Sequence, residues 1–414
     1  MILIKEQSQL SETQVGQLGL NNCVASLPPS DLGLSRGADG NIWSSYYIGL
    51  TSINGESLAV CPKVENVDFM SLFSYALIYQ PSSEYFASCY DIQWEKETIA
   101  NTQLFNVLTP LLVVQYFVIL EKLVGRGLKR DYITIEDNLR GKIKGKLNFG
   151  KQFRQNVIKK REERFFCRYQ EYSADIPVNR LLKKALDCSL FLLGDIRATS
   201  MNIQSSSFIS SKLKIVDAFR NICSDVQLQS IKDSKFDKLN VYYPQAIQLA
   251  KLILRHYDNS VCDSKSERRV PPFWIDMSRL FEVYVLGMLS SYYPEMIKFQ
   301  VKGSYGTQCD YLHTGEGVVI DAKYKLWYGS KAGRESHYDY LVDDVREISG
   351  YARDEKLLSH FMPPCLEPTC IIIHPGPKQN FDFSYPLANQ VLENRIEGYK
   401  GFYHISVPLP LKRI

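Results

Sequence analysis

Gly317 to Lys325 reads Gly-Val-Val-Ile-Asp-Ala-Lys-Tyr-Lys, and an apolar run of this kind can settle only inside a covered sheet. Alternate residues of a strand share a face. Val318, Ile320 and Ala322 are then expected to point into a core, while Val319, Asp321 and Lys323 point the other way. An acid and an amine thus emerge together at the end of a buried strand. Such a strand needs layers around it, which predicts an α/β or α+β architecture for this part of the chain.

The surrounding sequence supplies those layers. From Phe273 onward the order reads helix (278 to 290), strands (296 to 301, 309 to 312, 318 to 324), helix (340 to 356) and two further strands (369 to 374, 402 to 407). Asp310 stands eleven residues before Asp321, so a hairpin would bring the two carboxylates together. The helix around Glu282 is apolar on nearly every side, and Glu282 is its only charge between Arg279 and Glu295. Such a helix is buried, and a buried carboxylate requires a partner or a metal.

Carboxylates gathered at one point repel each other. A divalent cation resolves that repulsion, and hard oxygen ligands suit Mg²⁺. The cation would polarise a phosphate and lower the pKa of a bound water. Lys323 would position that water or stabilise charge growing on the phosphate oxygens. An Asp and a Lys two apart also occur without function; the inference rests on Asp310 and Glu282 joining them. In the second helix Asp344, Glu347 and Tyr351 fall on one face by their spacing. That face either lines a substrate groove or is solvated. His313, His337, His360 and His374 show no ligand spacing.

The rest of the chain divides by composition. Residues 1 to 95 read as a small β domain, with runs at Ile42 to Leu50 and Glu56 to Val64 around an Asn54-Gly55 turn signal. Residues 96 to 260 read as mostly helical: Leu104 to Val124 is apolar, and Asn179 to Leu193 and Ala246 to Leu254 repeat apolar residues at helical spacing. Arg126 to Arg168 holds fourteen Lys and Arg against five Asp and Glu, in a chain of 414 residues with net charge only +4. The basic excess is therefore local. Lys142, Lys144 and Lys146 are its centre, and it serves as a DNA surface, a partner surface or a solvated face. Ser205 to Ser211 is expected to be a loop, and Asn259 to Pro272 a domain boundary opening a third domain over 261 to 414.

Ten cysteines without a Cys-x-x-Cys pair argue against structural zinc and fit a reducing cytoplasm. Met1 to Glu6 is too short and too soon charged for a signal peptide. The apolar stretch Val107 to Leu120 falls short of the ~20 residues of a membrane span. No membrane association is expected.

Asp310, ten intervening residues and then Asp321-Ala322-Lys323, preceded by the helix bearing Glu282, resemble the PD-(D/E)xK nuclease superfamily, although Cys309 stands where its proline usually does. The resemblance extends over most of the chain. Tyr46 to Gly49, Leu58 to Lys63, Gly127 to Tyr132, Leu139 to Ile143, and Cys167 to Tyr172 leading to Asn179-Arg-Leu-Leu182 resemble McrC proteins. So do Met277 to Glu282, Asp321 to Lys325, and Asp344-Val-Arg-Glu347-Ile-Ser-Gly-Tyr351, where Glu347 replaces the usual glutamine.

That resemblance implies a Mg²⁺-dependent DNA endonuclease subunit (Mn²⁺ substituting) of a McrBC-type restriction and antiviral defence system. Its catalytic residues would be Asp310, Asp321, Lys323 and Glu282, with the three acids binding metal and Tyr324, Lys325, Glu347 and Tyr351 supporting the site or contacting double-stranded DNA. The partner implied is an AAA+ GTPase hexamer that the amino-terminal part enters and stimulates. The absence of a Gly-x-x-x-x-Gly-Lys-Ser/Thr phosphate loop here agrees with a motor on another subunit. Two alternatives are a repair-type exonuclease with the same core and a non-catalytic module that activates the partner.

Overall fold

A computed structural model describes residues 1–20, 33–37, 40–76, 85, 88–93, 96, 99–100, 105–197, 206–225, 240–261, 269–325, 334–376 and 394–411. The chain forms two compact units. One comprises Met1–Val114, Thr199–Phe208 and Lys265–Ile414, the other Gln115–Ala198 and Ile209–Ser264. The architecture is mixed α/β, with several sheets and helices.

In chain order the amino-terminal segment contributes β1 (Ile2–Lys5), α1 (Glu12–Gln17), β2 (Leu34–Arg36), β3 (Ile42–Ser44), β4 (Tyr47–Ile53), β5 (Glu56–Cys61), α2 (Phe69–Ala76), β6 (Tyr90–Ile92) and β7 (Ile99–Ala100). The β4–β5 hairpin closes at Asn54 and Gly55, both at positive φ (50° and 86°), as a tight hairpin turn requires. The α3 helix (Phe105–Arg126) follows, with Leu111 to Val114, Tyr116 and Leu120 buried, in keeping with a core helix. Among the described residues no helix is long and apolar enough to cross a membrane.

The basic tract carries more strand than helix. It forms β8 (Asp131–Arg140), β9 (Lys146–Leu147), α4 (Phe149–Gln152), a π-helical turn (Phe153–Val157) and β10 (Arg164–Ser173). β8 and β10 pair antiparallel through ten residues, from Asp131↔Ser173 to Arg140↔Arg164, and β9 flanks β10. Most side chains of β8 are exposed or half-buried. The β signal, Ile133 and Ile135 alternating with polar residues, is therefore short and diluted by charge. The helical parts of this unit are α5 (Pro177–Arg197), α6 (Ser206–Ala218) and α7 (Tyr243–Val261). Leu181, Leu182, Ala185 and Leu186 of α5 and Ala246, Leu249, Ala250 and Ile253 of α7 are buried on one face of each helix, where α5 meets α7. The serine-rich segment expected as a loop opens α6 from Ser206 onward; position 205 lies outside the described residues.

After Pro271 and Pro272 the chain returns to the amino-terminal sheet. After β11 (Arg269–Val270), strand β12 (Phe273–Asp276) pairs with β4 and β6, giving the order β1-β5-β4-β12-β6. Gly49 permits this return, because a Cβ there would stand 2.0 Å from the Phe273 carbonyl oxygen. Trp274 joins Ile2, Ile4, Leu58 and Val60 in the core beneath.

The last segment builds the second five-stranded sheet. Its elements are α8 (Met277–Tyr292), β13 (Ile297–Lys302), β14 (Gln308–His313), β15 (Val318–Ala322), α9 (Arg334–Tyr351), α10 (Glu355–Leu358), β16 (Thr369–Pro375) and β17 (Phe402–Val407). The order is β13-β14-β15-β16-β17, antiparallel as far as β15 and parallel thereafter. All five residues of β15 are buried, since the strand lies centrally and both α8 and α9 pack against it. The expected separation into an inward and an outward set therefore fails: both faces are covered. Val319 packs with Val345, Ile348 and Ile372 on the α9 side. Helix α9 ends at Tyr351, and Asp354 caps α10 by accepting from the Lys356 and Leu357 N–H groups.

Candidate active site

The hairpin between β14 and β15 brings the first two acids together. Tyr311 pairs with Ile320 and Leu312 with Val319, so one step further along that register Asp310 comes level with Asp321. The Ala322 N–H donates to Asp310 Oδ2 at 3.0 Å. Beyond β15 the Lys323 N–H donates to the Ile373 carbonyl at 2.8 Å, which fixes Lys323 at the strand end. Its Nζ meets Asp321 Oδ2 at 2.9 Å and Glu347 Oε2 at 2.8 Å, and the Tyr351 hydroxyl donates to Glu347 Oε1 at 2.9 Å.

Helix α8 delivers the third acid. Asp276 caps the helix by accepting from the Ser278 and Arg279 N–H groups at 3.0 and 3.1 Å. Gly287 lets it close on the backbone at Tyr75, whose carbonyl oxygen would stand 2.3 Å from a Cβ. The Tyr311 hydroxyl donates to the Glu282 carbonyl at 2.5 Å. The Gln300 carboxamide then bridges the acids: its Nε2 donates to Glu282 Oε2 at 3.0 Å and to Asp310 Oδ1 at 3.2 Å. The Tyr85 hydroxyl also donates to Glu282 Oε2, and the Tyr85 ring stands edge-on to Phe299 at 5.0 Å.

Electrostatically the site is over-supplied with carboxylates. Burial pushes Glu282 up to about 7, and the charges of Asp321 and Asp276 act in the same direction. Asp310 is also pushed up to about 7, by burial and then by Glu282. Asp321, 2% exposed, is held well above the carboxylate range by burial and then by Asp310. Burial alone would lower the Lys323 ammonium, but Asp321 and Glu347 outweigh it and keep the amine charged far above neutrality. One firmly held positive charge thus faces three crowded acids.

A hard divalent cation fits this set by donor chemistry. All three acids offer oxygen, and the buried Asp321 Oδ2 is held by the Lys323 ammonium at 2.9 Å. Among the described residues no three His, Cys, Asp or Glu side chains are yet grouped as a ready cation-binding cluster; the Gln300 carboxamide bridges two of the acids instead.

The remaining residues singled out in the sequence are placed as follows. Lys325 Nζ grips both oxygens of buried Asp344 at 2.7 Å. Tyr324, 1% exposed, donates its hydroxyl to Glu6 Oε1 at 2.9 Å. Lys142, Lys144 and Lys146 are exposed on the other unit, with Lys144 beside Glu171 at 3.7 Å. Gln300 and Tyr85 were not legible as site residues. Gln300 carries one signal, its level position opposite Asp310 across β13 and β14; Tyr85 carries none, because its contact with Glu282 spans 197 residues.

Fold and site together define a mixed α/β protein with a carboxylate-and-ammonium centre set around the buried strand β15. The family model of the McrBC 5-methylcytosine restriction system component matches residues 44–354, and the chain belongs to that family. A comparison with curated proteins finds no match. Two solved assemblies from Thermococcus gammatolerans are similar. One is a refined half-complex from a tetradecameric assembly of McrB AAA+ hexamers with bound McrC, with 17% identity, 99% of this chain and 94% of that chain covered, and a TM-score of 0.38. The other is the McrBC complex, with 16% identity, 70% and 87% coverage, and a TM-score of 0.29.

Proposed function

We propose that this chain is the DNA-cleaving subunit of a McrBC-type restriction system, hydrolysing phosphodiester bonds of double-stranded DNA with Mg²⁺ or Mn²⁺ at a PD-(D/E)xK centre. The observation that carries the reading is the meeting of Asp310, Asp321, Glu282 and Lys323, drawn from three elements, around one charge-imbalanced spot. Family membership supports the restriction context, and the partner that goes with it is an AAA+ GTPase hexamer. Cytoplasmic action and the three-part domain plan, with the basic tract meeting partner or DNA, belong to the same proposal.

Asp310, Asp321 and Glu282 would hold the cation. Bound there, Mg²⁺ supplies Lewis acidity towards the phosphate and acidifies water. The chain's own groups do the rest. Lys323, kept charged by Asp321 and Glu347, sets a positive charge where phosphate oxygens become more negative. Glu347 and Tyr351 fix the direction of that amine. Gln300 and Tyr85 orient Glu282, and Lys325 with Asp344 braces the turn behind them.

The test is plasmid cleavage by the full chain with its AAA+ partner, comparing wild type with Asp321→Asn and Lys323→Met. Asp321→Asn is expected to abolish cleavage, and Lys323→Met to slow it by about 10²–10³-fold, while both still stimulate GTP hydrolysis. Cleavage by Asp321→Asn at the wild-type rate would remove the site assignment.

A further inference from the structure

A second buried cluster, outside the carboxylate centre, ties the amino-terminal sheet to the turn that carries Lys323. Lys63 lies two residues beyond β5. Its ammonium donates to Gln7 Oε1 at 2.8 Å and to the Tyr324 carbonyl at 3.0 Å, and it stands 3.8 Å from the centroid of the Tyr324 ring. Tyr324 is the central residue of a tight turn in which the Lys325 N–H donates to the Lys323 carbonyl at 2.8 Å. The Tyr324 hydroxyl reaches Glu6 Oε1 at 2.9 Å, and the same oxygen accepts the Lys63 backbone N–H at 2.9 Å. Carbonyl, ring and hydroxyl of this one residue are therefore all held from β1, β5 and the residues just after them.

Lys63 is half-buried, and withdrawing an ammonium from water even in part is unfavourable. Its close contacts are a carboxamide oxygen, a peptide carbonyl and aromatic faces, and burial lowers Lys63 to about 8, with the charge of Glu6 opposing. Glu6 Oε2 is likewise buried without a hydrogen bond. Well-packed apolar residues would join two segments at least as stably. What the ammonium adds is direction: a donor and a cation–π contact that lock one peptide orientation. The peptide so locked lies next to Lys323, whose own N–H is already committed to Ile373.

We propose that Lys63 is a positioning residue for Lys323. By holding the carbonyl and ring of Tyr324 it sets where the Lys323 ammonium stands between Asp321 and Glu347, so the amino-terminal sheet is a working part of the cleavage centre. The inference rests on the nuclease reading of that centre.

Lys63→Met keeps the length and apolar stem of the side chain and removes its donors. In plasmid cleavage with the AAA+ partner, kcat is expected to fall about 10–100-fold, the range seen when an outer residue that orients a working side chain is removed. KM for DNA and Mn²⁺ affinity are expected to stay within about twofold. On a Lys323→Met background the Lys63→Met change is expected to add less than about a twofold loss, because both act on the same amine. A wild-type kcat in Lys63→Met, or a full additive loss on the Lys323→Met background, overturns the inference. If the methionine variant does not fold, Lys63→Arg and Lys63→Gln carry the test: kcat is expected to be higher for arginine, which keeps donor and charge, at equal KM. Equal kcat in both overturns the inference. Asp321→Asn is run in parallel. Cleavage that survives it overturns the nuclease reading and this inference together; a dead Asp321→Asn beside a full-speed Lys63→Met overturns this inference alone.

Discussion

Removing the charge of Glu282 should make the metal-free protein more stable and inactive at once. Its carboxyl stands among Asp310, Asp321 and Asp276, opposed by Lys323 and the Tyr85 hydroxyl, and is pushed from 4.5 to about 7. Because the folded state binds this proton more tightly than the unfolded chain, stability is fullest below 4.5, declines as pH rises between 4.5 and 7, and is level above. At about 1.4 kcal/mol per pH unit the penalty reaches about 3 kcal/mol above neutrality. Glu282→Gln has no such proton to lose and can still accept from Tyr85. Thermal unfolding followed by circular dichroism in EDTA should show the variant more stable than wild type by about 3 kcal/mol at pH 8, or about 3–5 °C in Tm for a protein of this size. At pH 5 the gain should shrink to less than about 1 kcal/mol. The same variant should not cleave DNA, as expected where a carboxylate is retained at a cost in stability. A variant no more stable than wild type at pH 8, or a gain that does not vary with pH, refutes the reasoning.

Added MgCl2 should raise the wild-type Tm more at pH 8 than at pH 6, since Glu282 and Asp310, both near 7, must shed protons before binding a cation; a pH-independent rise would contradict this. Reversing Lys142, Lys144 and Lys146 to glutamate, all exposed, should weaken binding of DNA or of the GTPase ring in a salt-dependent way. Titrations of both at two ionic strengths check it, and unchanged affinities would leave the tract as a solvated face.

The second sheet and its helices were legible because burial on both faces writes apolar runs into a sequence. Val318 to Ile320 and Cys370 to Ile373 could hardly be anything else, and Glu282 stood out as the one charge between Arg279 and Glu295 in the largely apolar α8. The hairpin distance from Asp310 to Asp321 followed from chain connectivity alone. What stayed hidden depends on pairing across long separations. That β12 returns to the amino-terminal sheet turns on Gly49 admitting the Phe273 carbonyl, a contact with no local signature. No side chain of β8 is fully buried, so the short alternation of Ile133 and Ile135 was lost among charges. Tyr85, Gln300 and Lys63 join the site through contacts up to 261 residues apart, and each is an ordinary residue in its own neighbourhood.

The central claim is that Asp310, Asp321 and Glu282 share one cation beside Lys323. Anomalous diffraction from crystals of the full chain grown with Mn²⁺ tests it most directly. The account expects one strong peak within coordination distance of Asp310 and Asp321, with the Gln300 carboxamide no longer bridging Glu282 and Asp310. Manganese bound elsewhere, with these carboxylates still joined through Gln300, would contradict it.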